Sequence, residues 1–503
     1  MAPTTRSQTS SLPSTPTPPP SKRTLSTSTL TTPSKRSKHS PPSSPNTKPR
    51  ILILGSGWSG FTLAQSLSKT PLSQSHQITL LSPHRTMALT PLLASAACGI
   101  FDFRIAEEPV RRLSTAGRVT KYQVHVSSID LKWQVVKCRA AVGSNGDARL
   151  AAEDGVNSDG EEGDGHGEEA EFELGYEKLV LAPGSETNTF STPGVLEHCL
   201  TMKSVQDAMS LRERILDCFE LASLPVCSEE RQRELLHFVI VGGGPTGVEL
   251  AAELDELVHG HLSRIYPDLE GRATISVYDV ADRMLGQFGE KLSEYAMEKF
   301  RRRDVRVCMG REIEGFEIGI MSVKDEGEVK FGVAIWCAGN KATSLVEGLD
   351  VRKGEGAMQR VCTDRLLRVL KPEGKEARKG IEDYFDNIYA LGDAADIEGM
   401  SLPPTAEVAL QKARWLAKHL NSPIQNENGN VEGEGFKYDQ KALVAYIGRK
   451  DGIVDGGGKW TGKGAWLAWR SGSLEWTRSW RRRAMIVLVW VMNKLDGREI
   501  ARR

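Results

Sequence analysis

The chain has no long hydrophobic run. Its longest, Ala484–Met492 (AMIVLVWVM) within 503 residues, falls well short of the roughly 20 apolar residues that a membrane-spanning helix needs. No segment is therefore expected to cross a bilayer, which leaves open whether one lies on its surface. Net charge is absent as well: 65 Lys and Arg balance 65 Asp and Glu, and no overall field draws the protein to nucleic acid. The eight cysteines, at 98, 138, 199, 218, 227, 308, 337 and 362, form no C-x-x-C pair and no Cys/His grouping at metal-ligand spacing. Neither a metal centre nor a dithiol relay is expected, and the thiols read as small, mostly reduced hydrophobes. Finally, residues 1–50 contain no Asp or Glu, but eight Lys or Arg among many Ser, Thr and Pro. Such a tail, over 1–49, cannot bury enough apolar surface to fold. Its composition is that of a mitochondrial transit peptide, yet its prolines oppose the amphipathic helix such peptides form. A disordered, phosphorylatable arm or a nuclear signal at SKRSKHS (34–40) stays open beside that reading.

From Arg50 the text becomes that of an α/β protein. The apolar stretch ILIL, glycines 55, 57 and 60, a helical FTLAQSL and a second strand QITLLS (77–82) make a β-α-β unit. Residues 143–171 are Gly-rich, with nine carboxylates between 151 and 171, and read as a solvated insertion. A calcium loop is rejected there, because the nearest register puts Gly155 at the first ligand position and His166 where the bidentate Glu belongs. Strand KLVLAPG (178–184) closes the first part. LLHFVIV (235–241) opens a second unit, followed by ATISVYD (273–279), VAIWCAGN (333–340), NIYALGDAA (387–395) and a helix over 405–420.

Two glycine loops dominate the chemistry: Gly55-Ser56-Gly57-Trp58-Ser59-Gly60 and Gly242-Gly243-Gly244-Pro245-Thr246-Gly247. After a strand, the first glycine of G-x-G-x-x-G makes the tight turn, the second admits a pyrophosphate, and the third lets helix and strand pack closely. One such loop is weak evidence; two in strand-loop-helix context point to two dinucleotides. Asp279, at the end of the second unit's next strand, is placed to accept ribose hydroxyls and repel a 2′-phosphate, favouring NADH over NADPH; a plain surface Asp is the alternative. The first unit ends its strand at Ser82-Pro83 without a carboxylate. Two dinucleotides in one chain suit hydride transfer from nicotinamide to a flavin.

With those loops go LLSPHRTMALTPLLASAACG, GSETNTFSTPGV, IWCAGNKA, YALGDAA, LPPTAEVALQKARWLAKHL and AWLAWRSGSLEWTRSWRRR. Together they resemble the type II, or alternative, NADH:ubiquinone oxidoreductases of fungal and plant mitochondria, over nearly everything beyond the tail. The resemblance implies two Rossmann-like domains of the pyridine-nucleotide-disulfide-oxidoreductase-like flavoprotein architecture. FAD would sit non-covalently in residues 50–190 and 381–436, NADH in 191–380, and a C-terminal amphipathic helical segment (437–503) would dock on a membrane. It implies that Gly55, Gly57, Trp58 and Gly60 face the FAD pyrophosphate, that Thr90, Pro91 and Leu92 line the flavin, and that Asp393 meets its ribitol side, where a helix N-cap role is the alternative. Gly242, Gly244 and Gly247 would hold NADH, with Cys337, Ala338, Gly339 and Asn340 close by. Glu249 matches a glutamate near the nicotinamide-flavin stack, a first-turn Glu serving the helix dipole being the bland reading.

At the family's quinone segment the chain departs from the pattern. Glu407 stands in place of a glutamine, ahead of Gln411, and an ionised carboxylate cannot donate to a quinone carbonyl. Ala94 replaces a proline. Six of the ten tryptophans fall in 460–503 among Arg470, Arg478, Arg481, Arg482, Arg483 and Arg498, a mixture suited to headgroups and anionic lipid. A homodimer interface or an ordinary covering of helices with apolar faces is the alternative for that segment, and nucleic-acid binding a distant third. The implied activity is non-pumping electron transfer from NADH to ubiquinone, peripheral to the mitochondrial inner membrane. An apoptosis-inducing-factor-like NAD(P)H:quinone oxidoreductase and a redox-inactive nucleotide-binding regulator remain as rivals.

Overall fold

The computed structural model describes residues 48–116, 118–142, 171–356, 358–372, 384–422 and 435–500; the expected tail and acidic insertion lie almost wholly outside them. Pro45–Arg503 forms one compact unit. It is built on two sheets. The larger has ten strands, and at its centre Arg50–Leu54 runs parallel between Gln77–Ser82 and Lys178–Leu181, with Ile51 opposite Ile78 and Lys178. The smaller has five parallel strands, and His237–Val241 lies between Thr274–Asp279 and Val333–Trp336. Both central strands read as continuous apolar runs because helices cover both faces of a parallel sheet, and all five residues of His237–Val241 are buried.

In each sheet the chain leaves the central strand to a neighbour on one side and later returns on the other. This is the switch point outside which α/β sheets bind ligands. Helix α1 (Trp58–Leu67) follows the first strand and α2 (Pro245–Leu257) the second. Helix α3 (Ala406–Leu420) starts at an N-cap, Thr405, whose hydroxyl accepts the Val408 N–H, and it belongs with the larger sheet. The expected return to that part at 381 is too late. Val361–Thr363 and Arg368–Leu370 already pair into the ten-stranded sheet, and strands of three residues are too short to show a period in sequence.

The C-terminal part is not wholly helical either. A three-stranded antiparallel sheet (Leu443–Gly448, Asp451–Asp455, Lys459–Thr461) precedes α4 (Lys463–Trp476) and α5 (Trp480–Asp496). Its first turn is Arg449-Lys450, both with positive φ, a two-residue hairpin of the kind usually written Asn-Gly. Trp469 and Ile486 are buried in the main core, the cluster that also holds Leu250 and Leu254 of α2, so this segment is packed against the body of the protein.

Candidate functional site

The two glycine loops are the same construction made twice. Gly55 N–H donates to Leu81 O and Gly242 N–H to Tyr278 O, each at 2.8 Å. Gly55 (φ +100°) and Gly242 (φ +115°) occupy backbone space that only glycine enters freely. A Cβ on Gly60 would collide with the Gly55 carbonyl, and one on Gly247 with that of Gly242, so the third glycine permits helix and strand to touch. The middle glycines differ in kind. Gly57 and Gly244 have ordinary extended backbone, and a Cβ on either would meet nothing within 4 Å. Open space at a helix N-terminus with no capping side chain is what an anionic pyrophosphate requires, so both loops fit a dinucleotide.

One cavity of about 1090 Å³ connects the two halves. Gly55, Gly57, Trp58 and Thr90 of the first half line it, together with Thr246, Gly339 and Asn340 of the second and with Asp393, Thr405 and Ala406. Trp58 Nε1 donates to Thr90 Oγ1 at 3.2 Å. Leu92 has no exposed surface and packs in the core instead of bordering the cavity, with Pro91 half-buried in front of it. Burial raises the Asp393 carboxyl above the usual carboxylate range, opposed by the Ser185 hydroxyl, which donates to it at 3.3 Å.

Asp279 accepts the Gly243 N–H at 2.5 Å and the Ala281 N–H at 2.9 Å. Its carboxylate thus stands at the mouth of the second loop. Arg283 turns toward Glu290, 3.9 Å away. A cation that sequence reasoning missed is Lys203, whose Nζ donates to Asn340 Oδ1 at 2.7 Å and Ser185 O at 3.3 Å at the cavity wall; burial pushes it down to about 8. Nothing in TMKSVQD marks it apart from the capping box that Ser204 and Asp207 make beside it.

Three expected residues do not line the cavity. Glu249 on α2 lies beneath the stacked rings of Tyr446 and Trp469 and accepts the Trp469 indole N–H at 2.8 Å; burial pushes it up to about 8. Glu407 accepts from Gln411 Nε2 at 2.7 Å and pairs with Lys441 at 2.9 Å. Gln411 also brackets the backbone of Asp439, donating to its carbonyl at 2.9 Å and accepting its N–H at 3.0 Å, so its amide is already engaged.

Most of the C-terminal arginines expected at lipid turn inward. Arg478 contacts Thr62 and Gln65 at 2.6 and 3.0 Å, Arg482 pairs with the buried Glu108 at 2.8 Å, Arg498 pairs with Glu256 at 2.9 Å, and Arg470 lies 3.9 Å over Trp490. For Arg482 and Arg498 the reason is electrostatic: the buried carboxylates of Glu108 and Glu253 need cations.

Residues 49–413 match the pyridine nucleotide-disulphide oxidoreductase family. The chain is 30% identical to an external alternative NAD(P)H-ubiquinone oxidoreductase B1 of Solanum tuberosum mitochondria, covering 90% of each chain. It is also 30% identical to a probable NADH dehydrogenase of Dictyostelium discoideum, over 90% of this chain and 91% of the other. Its fold is similar to that of NDH2 from Plasmodium falciparum solved in complex with NADH, with TM-score 0.77 at 22% identity over 90% of this chain and all of that one. The chain belongs to the pyridine nucleotide-disulphide oxidoreductases and, within them, to the type II, alternative NAD(P)H-ubiquinone oxidoreductases.

Proposed function

We propose that the protein passes electrons from NADH through a non-covalently held FAD to ubiquinone, without pumping protons, at the surface of the mitochondrial inner membrane. One observation carries the reading: a single cavity runs from the open Gly57 of the first loop to Thr246 on the first turn of α2. FAD bound there supplies hydride acceptance from NADH and electron delivery to the quinone. The protein supplies the rest. Gly55, Gly57 and Gly60 seat the FAD pyrophosphate, and Gly242, Gly244 and Gly247 that of NADH. Asp279 orients the adenosine ribose and repels a 2′-phosphate. Lys203 fixes Asn340 at the wall between the two sites. Glu249 holds a proton near neutral pH, one turn beyond Thr246.

Helix α5 supports the membrane reading. Val487, Leu488, Val491, Met492 and Leu495 share one outward face, with exposures from 46% to 77%, and Trp480 stands 80% exposed at its start. Such an unpartnered apolar face suits the headgroup boundary, and among the described residues no helix is long and apolar enough to cross a membrane.

The test is anaerobic. The purified chain reconstituted with FAD should be yellow, bleach on adding NADH, and regain colour on adding a short-chain ubiquinone. A colourless protein, or a reduced flavin that quinone leaves reduced, would refute the assignment.

A further inference from the structure

Where the two halves of the cavity join, the chain crosses between them twice. Glu186–Thr187, beyond the first half's strand Lys178–Leu181, pairs antiparallel with Asn340–Lys341, beyond the second half's Val333–Trp336, with Asn340 opposite Thr187. Lys203 stands against this ribbon and lines the cavity. Its ammonium donates to Ser185 O at 3.3 Å, on the first half's crossing, and to Asn340 Oδ1 at 2.7 Å, on the second's. Both acceptors are neutral, and they engage two of the three N–H donors an ammonium carries.

A cation taken out of water costs stability unless an anion compensates it. Among the described residues no carboxylate stands within ion-pair distance of the half-buried Lys203. Three carboxyls act on it from farther away. Asp207 spends its carboxylate on the backbone N–H groups of Lys203 and Ser204, at 2.8 and 3.0 Å. Glu186 is exposed to solvent. Asp393 accepts the Ser185 hydroxyl and also faces a second lysine, Lys412, which is 1% exposed and donates to Ala395 O at 3.2 Å. Arg360, the remaining cation acting on Asp393, pairs with Asp396 at 3.1 Å. Two lysines thus attend one carboxyl, and burial raises that carboxyl toward its neutral form. The wall between the two halves is left with positive charge facing the cavity.

The reaction itself makes the anion this wall lacks. Hydride transfer breaks a C–H bond of the nicotinamide and forms an N–H bond on the flavin; two electrons and one proton move, so NADH becomes NAD⁺ and the flavin gains one negative charge. The other anions of the two dinucleotides, their pyrophosphates, have seats at the open Gly57 and Gly244. Lys203 stands between those seats, where the halves meet. We infer that Lys203 compensates the negative charge of the reduced flavin and so sets how strongly FAD draws hydride from NADH. A positive charge already fixed at the wall by Ser185 and Asn340 needs no reorganisation when the negative charge appears. The inference rests on the flavin reading above.

The test is a spectroelectrochemical titration of the FAD-loaded protein without NADH or oxygen. Lys203→Met should hold reduced FAD at least about tenfold less tightly relative to oxidised FAD, which lowers the two-electron midpoint potential by about 30 mV or more. Lys203→Arg keeps the charge and should hold the midpoint near that of wild type. Asn340→Asp leaves Lys203 an acceptor but supplies the partner carboxylate, and should lower the midpoint in the same direction, which covers the case in which Lys203→Met fails to take up FAD. Midpoints unchanged in Lys203→Met and Asn340→Asp would overturn the inference. So would a fall in Lys203→Arg equal to that in Lys203→Met, the mark of a contact that only fixes Asn340. Weaker NADH binding by Lys203→Met at an unchanged midpoint would assign the charge to the dinucleotide phosphates and overturn it as well. A wild type that takes up no FAD would overturn the flavin reading itself, and the inference with it.

Discussion

Alanine at Gly57 and alanine at Gly60 should fail in opposite ways. At Gly57 the backbone (φ −70°, ψ −167°) suits any residue and a Cβ meets nothing within 4 Å. Folding should change by no more than about 1 kcal/mol, the size of the N-cap preference for Gly over Ala. The new methyl, however, fills the approach of the pyrophosphate. Loss of one hydrogen bond to a charged group, about 1.5–3 kcal/mol, weakens FAD binding by about 10- to 100-fold. At Gly60 a Cβ would lie closer than 3.0 Å to the Gly55 carbonyl oxygen, and Gly55 is itself held by its bond to Leu81. The backbone must therefore shift, at about 1–3 kcal/mol or more. Thermal melts of the apo-protein and fluorescence titration with FAD separate the two effects: Gly57→Ala keeps its melting temperature and loses affinity, whereas Gly60→Ala loses stability first. A Gly57→Ala protein that binds FAD as tightly as wild type would show that this loop does not seat the pyrophosphate. Gly244→Ala and Gly247→Ala should repeat the contrast with NADH.

Asp279→Asn should lower the ratio of kcat/KM for NADH over NADPH by about tenfold or more, since it removes the charge that repels a 2′-phosphate; an unchanged ratio in steady-state assays would exclude Asp279 from cofactor choice. Glu407→Gln gives up a partly exposed pair with Lys441 worth at most about 1 kcal/mol, and because Glu407 does not line the cavity the KM for a short-chain quinone should stay unchanged with little change in melting temperature; a fall in KM would return this residue to the quinone path. Leu488→Glu with Leu495→Glu should release the protein from anionic liposomes in flotation while leaving NADH:ferricyanide turnover intact, and continued flotation would remove α5 as the docking face. The buried Glu249 has a folded-state pKa of about 8 against an ordinary 4.5. The folded chain therefore binds more protons than the unfolded one between those values, and stability present at low pH is lost as pH rises through about 8. Relative to wild type, Glu249→Gln should melt progressively higher between roughly pH 4.5 and 8 and level off above that, and a constant offset would refute the raised pKa.

The parallel strands, the glycine loops and α3 were legible because each carries its signal within a dozen residues. ILIL before Gly55 and HFVIV before Gly242 are apolar throughout, and the glycine spacing reports local backbone demands that the structure repeats bond for bond. The strands after 360 were not legible at three residues each, nor was the hairpin at Arg449-Lys450, whose two left-handed residues are ones no turn rule selects. Lys203 escaped notice for a different reason. Its meaning lies in Asn340, 137 residues away, and no local pattern records that meeting.

The C-terminal part shows the same limit. A run of Trp and Arg states that the segment is amphipathic, but not which arginines face outward, because that depends on acids elsewhere in the chain. Glu108 looks like an ordinary charged residue in EEPVRR, yet it is 2% exposed and its carboxylate meets Arg482 and the Arg478 N–H some 370 residues on. Glu253 and Glu256 look like the solvated face of a helix until Arg498 closes over them. Removing such a cation leaves a buried carboxylate uncompensated, at about 3–5 kcal/mol for a fully buried pair. The arginines thus hold the C-terminal part onto the body at Glu108 and over the carboxylates of α2, and the proposed membrane contact is left to the exposed apolar face of α5. Sequence composition assigned both tasks to the same residues; burial divides them.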